Sequence, residues 1–284
     1  MEIKIGTRAS PLALAQTQII VDAISRAWPD FKISIVKITT SGDKNLAPFS
    51  SDPAGIKGLF TLELEQALLS HEIDFAVHSL KDLPAKINPA LPLVAYSRRE
   101  DPRDALVSIK NFESIGSSSL RRRLQLERLF PDKKILPVRG NINTRLKKLE
   151  AHEIDALVLA VAGLKRLGLE KRISKIFSVN EILPAPGQGI LACQGRNDEN
   201  YFYLDCVNDE DSKFCASAER SFAQALGAGC NVPVGAYAFL EGDILNLKGL
   251  YVDEKTGKFF QGSLYGDKNQ ASITGKNLAE IILT

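Results

Sequence analysis

The stretch IKIGTRASPLALAQTQIIVDAISRAWPDFKISIVKIT (residues 3–39) decides the fold class. IKIGTR (3–8) reads as a strand. Ser10 and Pro11 then supply an N-cap and a first helical residue, since proline's missing N–H is one that a helix start leaves unbonded anyway. Leu12, Ala15, Ile19, Ala23 and Ala27 follow at helical spacing and predict the buried stripe of that helix. FKISIVKIT (31–39) is the next strand. Strand, helix, strand in one continuous segment predicts an α/β domain with a mostly parallel sheet.

The pattern continues outward. Residues 40–58 carry neither period and are rich in Gly, Ser, Asp and Pro, which predicts a functional or mobile loop. Thr61 is expected to cap a helix to about Ser70, with Glu63 and Glu65 well placed in its first turn. DFAVHS (74–79) reads as a buried strand. After EDPRDA (100–105), strands near 104–108, 135–139 and 155–160 alternate with helices near 119–130, 142–150 and 161–168. LPAPGQG (183–189) has the composition of a linker or hinge, ILACQGR (190–196) suits one more strand, and a helix is expected over 211–226. The tail changes character: VPVGAYAFL, ILNLKGLYV and KFFQGSLYG are three strands between turn residues, and 276–283 looks helical.

Composition narrows the function classes. With 44% apolar and 25% charged residues in 284, the chain is ordinary globular protein. It holds no apolar run long enough to span a membrane and no secretory h-region, which leads to the expectation of a cytoplasmic protein with no membrane partner. The net charge of +2 hides an asymmetry, because 11 of the 15 arginines lie between Arg98 and Arg172. Such a concentration serves either nucleic acid or a small ligand rich in negative groups.

Where those arginines fall is informative. A helix N-terminus carries partial positive charge and free N–H groups, so arginine is unfavourable there unless an anion is present. Yet Arg8 precedes the Ser10–Pro11 helix start. Ser117, Ser118 and Ser119 lead into Arg121, Arg122 and Arg123, and Arg139 and Arg145 flank the Gly140–Asn141 helix start. Capping serines, N–H groups and guanidiniums together form anion sites, and several of them imply a ligand with several carboxylates or phosphates. Neither a GxxxxGK[ST] loop nor a GxGxxG turn is present to indicate a nucleotide.

Other constellations are open. HSLKDLP (78–84) places His78, Lys81 and Asp82 after a buried strand, as either a capped turn or a catalytic site. His71, His78 and His152 lack metal-ligand spacing, so no metal is expected. Cys193, Cys206 and Cys215 read as packing residues. Cys230, in LGAGCNVPVGA, lies on a glycine-flanked loop that suits either a turn cysteine or a nucleophile and attachment point.

GTRASPLALAQ, KGLFTLELEQALL, DFAVHSLKDLP, REDPRDALVS, GSSSLRR, VRGNINTRL, LAVAGLKRLGL, LPAPGQG and GAGCNVPVGAYA occur in the order of one family. From about residue 3 to the end, the chain resembles the porphobilinogen deaminases (hydroxymethylbilane synthases). The resemblance implies two periplasmic-binding-protein-like α/β domains around a cleft, 1–97 with about 188–207 and 98–187, and a small α+β domain, 208–284. It implies a transferase of porphyrin biosynthesis whose dipyrromethane cofactor, two linked pyrroles, is bonded to the sulfur of Cys230. It makes Asp82 the catalytic carboxylate. It assigns Arg8, Ser10, Lys81, Ser118, Ser119, Arg121, Arg122, Arg139, Arg145 and Arg166 to the substrate and cofactor carboxylates, with Lys57 and Gln188 at further cleft positions.

The chemistry implied is stepwise: porphobilinogen loses ammonia, the resulting electrophile is attacked by the bound chain, and after four additions hydrolysis releases hydroxymethylbilane. A fixed carboxylate stabilises the cationic pyrrole nitrogens formed on the way. Two departures stand out: where the family loop reads KxGGKGLF, Pro53 replaces Lys and Ile56 replaces Gly, and the sequence ends with NLAEIILT, earlier than the resemblance leads one to expect. A small-molecule enzyme of this kind is expected to be a monomer without a nucleic-acid partner, since the arginines mark helix starts rather than a continuous stripe. The alternative is a two-lobed non-catalytic binding protein for an anionic small molecule, which needs neither Cys230 nor the tail.

Overall fold

The computed structural model describes residues 1–40, 61–109, 111–227 and 232–284. Lys57, the substitutions at Pro53 and Ile56, and Cys230 lie outside the described residues. The chain opens with β1 (Glu2–Arg8), α1 (Pro11–Ala27), β2 (Lys32–Ile38), α2 (Leu62–Leu69), β3 (Phe75–Ser79) and β4 (Leu93–Tyr96). It continues through β5 (Asp104–Ser108), β6 (Ser114–Gly116), α3 (Leu120–Leu129), β7 (Lys134–Leu136), α4 (Ile142–Glu150), β8 (Ala156–Ala160), α5 (Val161–Arg166) and β9 (Lys175–Ile176). It ends with β10 (Leu191–Gln194), α6 (Glu210–Ala225), β11 (Val234–Glu241), β12 (Ile244–Val252), β13 (Phe259–Asp267) and α7 (Ala271–Leu283). Two compact units result, Met1–Arg99 with Ile190–Lys213, and Glu100–Gly189 with Phe214–Thr284.

The first unit holds one sheet in the order β2-β1-β3-β10-β4. β1 is parallel to β2 and β3, while β10 is antiparallel to both its neighbours. Side chains alternate across the sheet, as the pleat requires. Ile3, Ile5, Phe75 and Val77 pack with Ile20 and Ile24 of α1, while Ala76 packs with Leu64 and Leu68 of α2.

The expected buried stripe of α1 is displaced. Gln16, Thr17, Ile20 and Ile24 face the sheet, while Ile19 is 44% exposed and Ala27 is exposed. The reason is polar satisfaction. Gln16 Nε2 donates to Ser79 Oγ at 2.8 Å, and Thr17 Oγ1 donates to Ala13 O at 2.9 Å. Once bonded, these groups cost little to bury, so the helix turns its face by about 100°, one residue of an α-helix. A hydrophobic pattern passes over such residues. At α2, Thr61 holds the N-cap position, but its side chain makes no capping bond.

The second unit repeats the arrangement, with sheet order β7-β6-β8-β5-β9. β6 is parallel to β7 and β8, and β5 is antiparallel to β8 and β9. Both sheets are therefore mixed, each with a reversed fourth strand. β5 and β10 each follow a connection without an α-helix, whereas the parallel neighbours are reached through crossovers of the kind parallel pairing needs. Leu157 and Leu159 pack with Leu146 and Leu149 of α4, and Ala156 and Val158 pack with Leu126 of α3. β4, β6 and β9, absent from the sequence expectation, have four residues or fewer, too few to display a period.

The C-terminal part of this unit is α+β. β11, β12 and β13 form an antiparallel meander, with Phe222 of α6 and Leu278 and Ile282 of α7 over Leu245 and Leu247. α7 begins at Ala271, earlier than the expected 276. Gly275 weakens the sequence signal for a helix, but the packing requires it: a Cβ there would overlap Ala218 O and lie 2.8 Å from Phe222 N.

Candidate functional site

In the first unit, parallel pairing of β1 with β3 brings Arg8 and Ser79 to the same edge of the sheet. Ser10 holds the N-cap of α1 and accepts from Ala13 N at 3.2 Å. Beyond Ser79 the chain makes a single 3₁₀ turn, Leu80–Asp82. Buried Leu80 anchors it, its N–H donating to Ile190 O at 3.0 Å, and Leu83 N closes it on Leu80 O at 3.2 Å. The turn leaves Lys81 half-buried and Asp82 exposed. Arg8, Ser10, Lys81 and Asp82 thus lie at or just beyond the C-terminal ends of the parallel strands β1 and β3, where open α/β sheets place ligands.

Asp82 makes no side-chain hydrogen bond or ion pair among the described residues, so its carboxylate does not cap the turn. His78 lies four residues earlier, in β3. Burial, offset in part by a hydrogen bond with Gln194 and reinforced by the charge of Arg8, pushes its pKa down to about 4. His78 is therefore neutral near pH 7, and its buried Nε2 has no partner among the described residues. His71 (φ 57°) and His152 (φ 55°) sit in left-handed turns after α2 and α4, conformations that histidine tolerates better than most residues. Among the described residues no group of three or more His, Cys, Asp or Glu could hold a metal ion, and no helix is long and apolar enough to cross a membrane.

In the second unit the parallel strands β6, β7 and β8 lead into the other predicted residues. Ser119 caps α3, accepting from Arg122 N at 3.4 Å. Ser118 Oγ donates to Val138 O at 2.7 Å. Asn141 caps α4, accepting from Thr144 N at 2.9 Å. Arg139 is half-buried just before this start, and Arg145 Nε donates to Gly140 O at 2.8 Å. Arg166, at the end of α5, donates to Gly189 O at 2.6 Å. Burial lowers its pKa to about 10, against the opposing charge of Glu100, so it stays cationic near pH 7.

Arg121 and Arg122 differ from the rest. Both are buried, and their guanidiniums meet one carboxylate, Asp104, which is fully buried at the start of β5. Arg121 Nη2 reaches Oδ2 at 2.9 Å, Arg122 Nη2 reaches Oδ1 at 2.7 Å, and Gln188 Nε2 adds a bond to Oδ1 at 2.8 Å. The anion that the helix-start arginines demand is here, in part, an internal one. The first residue of DALVS was the available signal, since an acid opening an apolar buried strand needs a cationic partner.

Burial alone would raise the Asp104 pKa, but the charges and hydrogen bonds of Arg122 and Arg121 outweigh it and hold the carboxyl well below the usual range. Its folded pKa lies below an unfolded value of about 3.9. The stability it contributes is therefore present above that value and is lost as pH falls below it. Breaking such a buried pair costs about 3–5 kcal/mol near neutrality. Thermal unfolding scanned from about pH 6 to about pH 2 should show the gap between wild type and Asp104→Asn narrowing below about pH 4; a constant gap would contradict the ion pair.

Of the cysteines, Cys193 and Cys215 are buried, as expected for packing residues, but Cys206 is exposed. Its Sγ bonds Tyr203 O at 3.3 Å in the turn before α6.

Two family models cover nearly the whole chain. "Porphobilinogen deaminase, dipyromethane cofactor binding domain" matches residues 3–203, and "Porphobilinogen deaminase, C-terminal domain" matches residues 213–284. Among curated proteins, the chain is 48% identical to the porphobilinogen deaminase of Ruminiclostridium josui over 282 residues, 98% of this chain and 97% of the relative. It is 46% identical to that of Acetivibrio thermocellus over 285 residues, again 98% and 97%. Among solved structures, a periplasmic aliphatic sulphonate binding protein from Escherichia coli aligns at a TM-score of 0.41 and 12% identity, over 80% of this chain and 70% of that one. With family models matching both halves of its fold, and close relatives matching along nearly its whole length, the chain belongs to the porphobilinogen deaminase family.

Proposed function

We propose that the chain joins four porphobilinogen molecules head to tail onto a dipyrromethane held through Cys230, and then releases hydroxymethylbilane by hydrolysis, as a monomeric cytoplasmic enzyme with no nucleic-acid or membrane partner. The observation that carries this reading is the clustering of cationic and hydroxyl side chains after the parallel strands of both sheets: Arg8, Ser10 and Lys81 in one, Ser118, Ser119, Arg139 and Arg145 in the other. Each substrate ring brings an acetate and a propionate, so a growing chain needs many such donors.

The cationic site also fits the cofactor. Arg122 Nε is buried without a partner among the described residues, a donor left over for an anion. Arg121, Arg122, Arg139, Arg145 and Arg166 would hold the cofactor and substrate carboxylates, and Cys230, outside the described residues, would carry the covalent bond. When bound, the dipyrromethane supplies the free α-carbon to which the first substrate ring is joined. The protein's own part is to orient carboxylates and to hold a negative charge, Asp82, where ring nitrogens become cationic. Lys57, also outside the described residues, and Gln188 are the further cleft positions in this reading. The domain division 1–97 with about 188–207, 98–187 and 208–284 is supported by three separate sheets.

The test is to incubate the purified chain with porphobilinogen and follow intact mass and tetrapyrrole release. Single replacements of Arg139 and Arg145 by Leu should each lower kcat/KM by about 10- to 150-fold, the equivalent of one charge-assisted hydrogen bond of ~1.5–3 kcal/mol, and should enrich partly extended chains. Binding of porphobilinogen without any mass change would instead support a non-catalytic binding protein.

A further inference from the structure

Asp104 is a polar residue at the head of an apolar strand, with no solvent exposure. It collects three donors from two separate segments: Arg121 and Arg122 from α3, and Gln188 from the LPAPGQG connection. The remaining Nη groups of the arginines go to main-chain carbonyls, Arg121 Nη1 to Leu183 O at 2.5 Å and Arg122 Nη1 to Val158 O at 3.2 Å. Gln125, one turn along α3, braces the same carbonyl: its Nε2 donates to Leu183 O at 3.2 Å and its Oε1 accepts from Leu183 N at 2.8 Å.

The charges do not balance. Two guanidiniums and one carboxylate leave one positive charge inside the second unit, beside the N-terminus of α3, whose free N–H groups add to it. One buried donor, Arg122 Nε, is also unused among the described residues. A closed structural ion pair would leave neither an uncompensated charge nor an unbonded N–H, since both are costly to bury.

We infer that Asp104 is a positioning residue for the condensation reaction: it clamps Arg121 and Arg122 in one orientation while leaving the pair a single positive charge, the complement of one carboxylate on the substrate or growing chain. The inference rests on the reading of these arginines as carboxylate-binding groups. Long side chains lose rotamer freedom when they grip a ligand, so guanidiniums already held bind more tightly than free ones. Gln188 Nε2 bonds both Asp104 Oδ1 and, at 2.6 Å, Pro102 O, so it ties the 183–189 connection to the clamp and to the chain just before β5.

The experiment uses the full chain in five forms: wild type, Asp104→Asn, Asp104→Glu, Arg122→Leu and the Asp104→Asn/Arg122→Leu double variant. Intact mass gives the fraction carrying the adduct and the distribution of ring counts, and kcat and KM for porphobilinogen are expressed per adduct-bearing chain. Asp104→Asn should raise KM by about tenfold and shift the ring-count distribution, with Asp104→Glu intermediate. In the double variant KM should rise over Arg122→Leu by less than Asp104→Asn raises it over wild type, because one of the two guanidiniums through which the carboxylate acts is already gone. A lower Tm and a smaller adduct-bearing fraction, with KM and ring distribution per loaded chain unchanged, would reduce Asp104 to a structural role and overturn the inference. If Asp104→Asn fails to fold, Asp104→Glu decides: wild-type KM overturns the inference and a raised KM supports it. Wild-type kinetics in Arg122→Leu would remove the carboxylate-binding reading itself, a different failure from normal Asp104→Asn kinetics beside an impaired Arg122→Leu.

Discussion

Replacing Cys230 with serine is expected to eliminate the covalent adduct and reduce turnover to background. A thiolate is a far better nucleophile than an alcohol near neutral pH. Cys230 lies between α6 and β11, in a run flanked by glycines. The three described cysteines are each less suited to that role. Cys193 is buried in β10, and desolvation pushes its thiol pKa up. Cys215 is packed into the core beside Phe222 and Leu278. Cys206 is exposed, but its thiol is also shifted upward, chiefly by desolvation. The wild-type chain should therefore weigh more than its sequence by two linked pyrroles, Cys230→Ser should match its sequence mass, and Cys193→Ser should keep the adduct. Peptide mapping that places the adduct on Cys193, Cys206 or Cys215 would overturn the assignment.

Asp82→Asn should fold as well as wild type and lose on the order of 10²-fold or more in kcat, while KM changes only slightly. The backbone of the 3₁₀ turn is held through Leu80, not through the Asp82 side chain, which bonds nothing among the described residues. Removing its charge therefore leaves no broken cap, and Tm should hold. The kinetic effect follows from where charge develops. Porphobilinogen starts with a neutral ring and gains positive charge at the ring nitrogen as ammonia leaves, so a fixed carboxylate favours the transition state over the ground state. His78, in the preceding strand, is neutral and cannot replace the lost negative charge. Single-turnover measurements on the loaded variant separate the two effects. Near-normal rates would return Asp82 to the surface, and a large loss in Tm would show a packing role instead.

Local signals in the chain carried most of the fold. Ser10 and Pro11 start α1, Ser119 and Asn141 cap α3 and α4, and ILNLKGLYV is β12 from end to end. Caps and strand periods depend on neighbours a few residues away, so they can be read in one dimension. The arginines at helix starts were legible for the same reason, because the conflict between guanidinium and helix dipole lies within one turn. Asp82 and Cys230 were singled out by their segments, but their roles came from the family resemblance rather than from spacing.

What the sequence alone determined was therefore the strand–helix alternation, most helix starts, the α+β tail and the concentration of cationic groups awaiting an anion. Tertiary structure decided which polar residues turn inward and what they meet there. Gln16 faces the sheet because Ser79, 63 positions away, bonds it. Arg121 and Arg122 turn inward because Asp104, 17 and 18 positions earlier, is waiting at the head of a buried strand. Gly275 stays inside a helix because α6 passes too close for a side chain. In each case the favourable choice depends on desolvation offset by a distant partner, or on the space left by one, and neither is present until the elements pack.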